Sequence, residues 1–259
     1  MYLSWNLIPM PEGGRQRVAS FLLPAMAAMI LAMILVILAP PVWAGDNLPS
    51  KQDVHFARQA LDAAEKNKWA AYARLAAKLE HRGARKVLRW HRLRSRKSGA
   101  GFDEIAGFLN GASEWPQRRL IRRRAEEAMP PSMPDDEILK WFDGRRPLTA
   151  AGGARLGGAL LNQGRKAEAV KVLRSVWVSG AFGAKQERQF YKRFRRYLTR
   201  EDHIRRLDRL LWNGQYYPVR RMYRRVNPNY RALAEARTAL RRFRGGVDRA
   251  IARVPESLK

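Results

Sequence analysis

Residues Leu198 to Val226 read LTREDHIRRLDRLLWNGQYYPVRRMYRRV, and their pattern decides the fold. They encode two short helices with a tight turn at Asn213-Gly214. Thr199 is placed to cap the first helix. Asp202, three residues on, faces the same N-terminal N–H groups and the helix dipole. Ile204, Leu207 and Leu211 recur at the three-to-four spacing of one apolar face, widened by Leu210 and Trp212. Arg205, Arg206, Asp208 and Arg209 are expected to form the outward, charged face. The second helix is expected to turn Val219, Met222, Tyr223 and Val226 inward. Such a hairpin cannot bury its apolar face alone, so the pattern predicts neighbours of the same kind.

Those neighbours are visible on both sides. Thr149 caps a helix running to about Asn162, Gly164 makes the turn, and Ala167, Ala169, Val170, Leu173 and Trp177 form the returning face. Glu187 to Tyr197 carries Phe190, Tyr191 and Phe194. After the opening stretch come Tyr230 to Phe243, a break at Gly245-Gly246, and Val247 to Val254. Upstream, Phe56, Ala60, Ala63 and Ala64 predict one helix and Trp69, Tyr72, Ala73, Ala76 and Leu79 the next, with Asn67 between. Val87, Leu88 and Trp90 to Leu93 give a third, and Phe102 to Leu109 a fourth. Glu114-Trp115-Pro116 opens another, with Pro116 near the first turn where a missing N–H costs nothing. Pro130, Pro131 and Pro134 end it, and Asp135-Asp136 starts the next. Gly144 to Gly153 is the clearest internal break. No segment shows a period-two strand. The fold class expected is all-α: a superhelical α-solenoid of degenerate helical hairpins, an α-α superhelix. Leu160, Gly164, Ala169 and Leu173 resemble the spacing of a tetratricopeptide-like hairpin, although no strict repeat of about 34 residues is visible.

The 259 residues carry 51 Lys and Arg against 23 Asp and Glu, a formal net charge of +28, with Arg outnumbering Lys by 39 to 12. The charge fits an anionic partner, whether nucleic acid, acidic lipid or a polyanionic wall polymer; it equally fits a solvated, Arg-rich helix surface. The N-terminus bears on the compartment. Arg15 and Arg17 precede an apolar run from Phe21 to Leu38, interrupted by Pro24. Pro40-Pro41 then breaks the run, and Val42-Trp43-Ala44 ends in a small–x–small pattern. Residues 1–44 are expected to be a signal peptide cut after Ala44, residues 45–51 a linker, and residues 52–259 the helical-hairpin domain. Left uncut, the same segment would be a membrane anchor, the one membrane contact expected of the chain. Export to the periplasm argues against nucleic acid as the partner. No cysteine is present, which excludes disulfides, thiol chemistry and cysteine-based zinc sites.

Catalytic and cofactor chemistry find little purchase. His55, His81, His91 and His203 have no metal-ligand spacing. His203 is read as a helix-start residue packing on the next hairpin. Gly152-Gly153 and Gly157-Gly158 lack the strand and the lysine of a phosphate loop. Glu126-Glu127 and Asp135-Asp136 are adjacent and point apart on a helix, so they are read as surface charge and helix-start acids. Trp115, Trp141, Trp177 and Trp212 can stack on sugar rings or pack between hairpins, and their apolar positions favour packing. No cofactor, metal or catalytic residue is assigned. The candidate contacts to glycan or peptide carboxylates are arginines: Arg118, Arg119, Arg122, Arg123, Arg195, Arg196, Arg220, Arg221, Arg224 and Arg225.

Four segments, in order, carry a family resemblance. They are Phe108-Leu109 with Trp115-Pro116, Leu120 and Arg124-Ala125-Glu126; then Trp141-Phe142 with Pro147-Leu148-Thr149, Gly152, Leu160-Leu161 and Gly164-Arg165. Arg174 to Trp177 with Phe182, Glu187 and Phe190 is the third, and Leu198-Thr199, Asp202-His203, Arg206-Leu207 and Leu210-Leu211-Trp212 the fourth. Together they resemble the superhelical, U-shaped domain of soluble lytic murein transglycosylases, over roughly Gln52 to Lys259. The resemblance implies a periplasmic protein whose partner is the peptidoglycan glycan strand. In that family a separate lysozyme-like domain carries a catalytic Glu, which cleaves the β-1,4 bond between N-acetylmuramic acid and N-acetylglucosamine and leaves a 1,6-anhydro product. This sequence departs from the family there. Glu256-Ser257 is its one Glu-Ser pair, at the end of the chain, and is not read as catalytic. The chain is expected to be the non-catalytic part, truncated at its C-terminal end, inactive alone, with a catalytic domain missing in cis. The alternative is a tetratricopeptide-like periplasmic adaptor that binds a protein.

Overall fold

Caps and left-handed turns cut the chain into helices of 6 to 15 residues. The computed structural model describes residues 48–111, 114–243 and 245–259; the signal segment and its cleavage site lie outside them. The described residues hold thirteen α-helices and no strand, so the protein is all-α. The helices are α1 (Lys51–Glu65), α2 (Trp69–Ala77), α3 (Arg82–Leu93), α4 (Phe102–Asn110), α5 (Arg118–Ala128), α6 (Asp135–Phe142) and α7 (Ala150–Asn162). They continue with α8 (Lys166–Ser179), α9 (Ala184–Phe194), α10 (Arg200–Trp212), α11 (Tyr216–Met222), α12 (Pro228–Arg241) and α13 (Val247–Ala252). No helix among the described residues is long and apolar enough to cross a membrane.

Three hairpins close with the same turn. At Asn67, Gly164 and Gly214 the backbone is left-handed, with φ of 54°, 73° and 65°. In each, the next N–H reaches back five residues: Lys68 to Ala63, Arg165 to Leu160, Gln215 to Leu210. This Schellman-type closure satisfies the last carbonyls of the first helix and starts the second at once. The starts are capped as the sequence predicts at Thr199 with Asp202 and at Thr149. Ser50 with Asp53 forms a second capping box, and the His81 ring accepts from the Ala84 N–H.

Consecutive helices pack as pairs (α1 on α2, α4 on α5, α6 on α7, α7 on α8, α10 on α11, α12 on α13); α3 packs on α1, and further contacts between second neighbours join α5 to α7, α8 to α10 and α10 to α12. The largest apolar cluster joins α8 to α12 through Leu173, Trp177, Phe190, Phe194, Leu207, Leu210, Met222 and Ala234. Smaller clusters centre on Tyr72 and Leu88, on Ile105 and Ile121, and on Phe142 and Leu160.

Five expectations are corrected here. Gly152 and Gly153 are no part of a break. They lie in α7, where a β-carbon on Gly153 would stand 2.2 Å from Val176 Cγ2, so the glycine lets α7 and α8 touch. Pro116 precedes α5 by two residues, because Gln117 takes a left-handed φ of 60° and starts the helix late. Glu126 is buried instead of on the surface: it accepts hydrogen bonds from Leu148 N, Thr149 N and the Thr149 hydroxyl, tying α5 to the start of α7. Trp212 is 75% exposed, since α10 ends there and no neighbour covers it. Arg206, assigned to the outward face, is 1% exposed, and Arg209 is half-buried, because both cap carbonyls at the end of α8.

Candidate functional site

The candidate arginines separate into three environments. The first is a groove of about 690 Å³, lined by the end of α4, the first turns of α5, Trp141 of α6 and the α6–α7 loop. Arg118, Arg119 and Arg122 converge there because they occupy successive positions on one side of α5. Arg145 joins them from the loop, its guanidinium 5.5 Å from the Trp141 ring centroid. No carboxylate is among the described residues that line the groove. Gln117 gives α5 no side-chain cap, so the positive end of its helix dipole adds to the arginine field. Arg118 donates to the Leu109 carbonyl and Arg122 to the Arg146 carbonyl, which fixes both side chains across the groove. Arg119 and Arg145 are exposed and form no ion pair among the described residues.

The Trp141 ring is held edge-on against Phe102 at 5.0 Å and is half-buried. One edge belongs to the core and the rest lines the groove. A planar ring beside guanidiniums suits a sugar bearing a carboxylate: the ring takes an apolar sugar face and the guanidiniums take the carboxylate bidentately.

The second environment is buried. Arg221 donates to Glu187 Oε2 from two nitrogens, at 3.1 and 2.9 Å. Arg225 lies 3.3 Å from Glu187 Oε1 and stacks over Tyr191 at 4.4 Å. Arg206 completes the set at 3.2 Å from Oε2, its guanidinium between the rings of Trp177 and Phe182 at 4.4 and 4.8 Å. Burial pulls the Arg206 guanidinium down to about 10, against the Glu187 charge that holds it up, so it stays charged at neutral pH. This cluster joins α8, α9, α10 and α11, with Arg206 and Glu187 buried at its centre and Arg221 30% exposed at its edge.

His203 belongs to the same core. Its Nδ1 accepts the Trp177 indole N–H at 3.0 Å, which places the ring proton on Nε2. Burial, with Arg225 and Arg206 nearby, lowers the imidazole below its ordinary value despite Asp202. Asp202 is itself lowered. Burial alone would raise it, but the hydrogen bonds from Thr199 and Arg205 and the charge of Arg174 outweigh burial.

The third environment is the open surface. Arg195, Arg196, Arg220 and Arg224 are exposed and Arg123 is half-buried. Arg196 folds over Tyr197 at 4.8 Å. Sequence reasoning thus named three of the four groove arginines and missed Arg145. Its signal was its position four residues after Trp141, just past the end of α6. Among the described residues no group of His, Asp and Glu can hold a metal ion.

Comparison with protein-family models, curated proteins and solved structures finds no match for this chain. The family resemblance rests on the four sequence segments.

Proposed function

We propose that this protein is the non-catalytic superhelical part of a periplasmic peptidoglycan lytic transglycosylase, and that it holds glycan strands in the groove of Arg118, Arg119, Arg122, Arg145 and Trp141. The observation that carries the reading is that groove: four guanidiniums and one aromatic ring with no lining carboxylate. Peptidoglycan offers the matching chemistry, sugar faces alternating with lactyl and peptide carboxylates. The local pairing of helices supports the superhelical arrangement, since the helix contacts run between first or second neighbours in the chain, as in α1–α2, α7–α8, α8–α10 and α10–α12. The reading assigns no bond cleavage to these residues. Cations can position an acidic strand, but acid–base cleavage of a glycosidic bond needs a carboxyl group at the bond.

The test is sedimentation of the protein with purified peptidoglycan sacculi across a salt series. Wild-type protein is expected to pellet with sacculi at low salt, and R119E/R145E to stay in the supernatant. No sedimentation of the wild type at low salt would overturn the reading. The adaptor reading has its own support in a shallow groove of about 570 Å³ along α8, lined by Ala167, Val170, Ser175 and Val178 with Arg174 and Arg205 at its side. That reading requires a periplasmic protein captured through α8, with binding lost in V170E.

A further inference from the structure

Three chain segments meet at one corner of the helical unit, and together they carry four of the six exposed large hydrophobic side chains among the described residues. Trp212 ends α10, Tyr216 and Tyr217 open α11, and Leu240 to Phe243 span the last turn of α12 and the two residues after it. Arg241 fixes their juxtaposition: its Nη1 donates to the Trp212 carbonyl at 2.9 Å. Arg242 stacks its guanidinium 4.3 Å over the Tyr216 ring, and the Tyr216 and Tyr217 rings lie 5.4 Å apart. Trp212, Tyr217, Leu240 and Phe243 are 75%, 73%, 50% and 90% exposed. Isolated exposed apolar residues are ordinary, but four at one corner are a patch.

Two further observations set this corner apart. Phe243 has a φ of 50°, a left-handed backbone unfavourable for a bulky residue, yet its side chain is 90% exposed. Arg220 and Arg242 lie 5.8 and 4.3 Å from the Tyr216 ring centroid, Arg241 reaches the Trp212 carbonyl, and none of the three forms an ion pair among the described residues. Exposed apolar side chains thus share this corner with guanidiniums that have no carboxylate partner among the described residues.

We infer that this corner docks on an anionic lipid surface, with Phe243, Leu240 and Trp212 entering the headgroup–acyl boundary and Arg220 and Arg242 meeting lipid phosphates. The residue types divide as that boundary requires: indole and phenol rings prefer the interface, Phe and Leu favour the acyl side, and guanidiniums bind phosphate bidentately. A second copy of the chain is a poor occupant, because a symmetric contact would press the same arginines together on a molecule of net charge +28. The inference is independent of the glycan groove, which lies on α4 to α6.

The absence of cysteine makes the corner directly readable. Full-length F243C and, separately, L240C are labelled with an environment-sensitive dye and mixed with vesicles of phosphatidylglycerol and phosphatidylcholine. R58C on the exposed side of α1 is the control, and far-UV circular dichroism checks the fold. The expected result is a blue shift at 243 and 240, quenched by nitroxides on the acyl chains, with none at 58 and none on pure phosphatidylcholine. Adding R220E/R242E should weaken partition by more than about tenfold, since each basic side chain near an anionic surface is worth about 1 kcal/mol. No shift at either position on the anionic vesicles would overturn the inference. So would a shift that soluble polyglutamate reproduces and acyl-chain nitroxides leave unquenched, which would mark a general polyanion surface.

Discussion

Arg206 stacks on Trp177 and grips its backbone at once: the guanidinium lies 4.4 Å from the ring centroid, and Nη1 donates to the Trp177 carbonyl at 2.6 Å. One side chain from α10 thereby ends α8, packs its last aromatic ring and reaches the carboxylate of α9. The arrangement depends on Glu187, the one carboxylate among Arg206, Arg221 and Arg225. Glu187→Gln leaves three guanidiniums around a neutral group, with Arg206 fully buried beside it. It is expected to cost about 3–5 kcal/mol of stability, read by urea unfolding, because removing one partner strands buried charge. A loss under about 1 kcal/mol, the range of exposed ion pairs, would show that the cluster is solvated and not holding the helices.

Three glycine-to-alanine changes should move stability in two opposite directions. Gly107 is exposed in the interior of α4 with nothing near its missing β-carbon, so Gly107→Ala is expected to stabilise by about 0.5–1 kcal/mol through helix propensity. A β-carbon at Gly153 would collide with Val176, and one at Gly157 would stand 2.4 Å from Leu173 Cδ2, so Gly153→Ala or Gly157→Ala forces α7 off α8. Each is expected to destabilise by about 1–3 kcal/mol. Thermal unfolding of the three variants checks both signs.

Acid should weaken the core through His203 before it reaches the carboxylates. The folded imidazole is held below its ordinary value, so the unfolded chain binds the proton first as pH falls. Stability should therefore decline from about pH 6.5 downward. His203→Asn keeps an acceptor for the Trp177 indole and removes the titration. Its Tm, plotted from pH 7 to 5, is expected to fall less steeply than that of the wild type. Parallel slopes would assign the acid sensitivity elsewhere; His91, also lowered by burial and by Arg94, is the next group to replace.

Asp53 gives the opposite end of the acid range. Its carboxylate takes hydrogen bonds from Ser50 and from the backbone N–H groups of Glu80 and His81, joining the starts of α1 and α3. The Ser50 hydroxyl foremost, with those N–H groups, lowers it to about 2 against burial. A carboxyl depressed in the folded state contributes stability that is complete above its unfolded value near 4 and lost as pH falls through about 2. Asp53→Asn is thus expected to lower Tm at pH 7, with the difference from wild type vanishing near pH 2.

The helices were legible in the sequence because their signals are local. Thr199 with Asp202, Thr149, Gly164 and Gly214 each act within a few residues, and the three-to-four spacing of Leu207, Leu210 and Leu211 needs no tertiary knowledge. The errors came where a distant helix reversed a local sign. Arg206 looks solvated by its type, yet Trp177, 29 residues back, supplies a ring, a carbonyl and a way to Glu187. Glu126 looks like surface charge until Leu148 and Thr149 present their N–H groups. Gly153 reads as a breaker when the partner helix that needs its smallness is out of view. Trp212 reads as core from its spacing, but α10 stops beneath it. At the groove, α5 alone revealed Arg118, Arg119 and Arg122. Arg145 and the open side of Trp141 needed the α6–α7 loop to be placed against α5.

The glycan reading has one most direct test, a binding isotherm with soluble, N-acetylmuramic acid-containing glycan strands beside a neutral N-acetylglucosamine oligomer of equal length. The account predicts saturable binding of the acidic strand at low salt, much weaker binding of the neutral oligomer, and loss of the difference in R119E/R145E. Equal affinity for the two ligands, or unchanged discrimination in the variant, would contradict it.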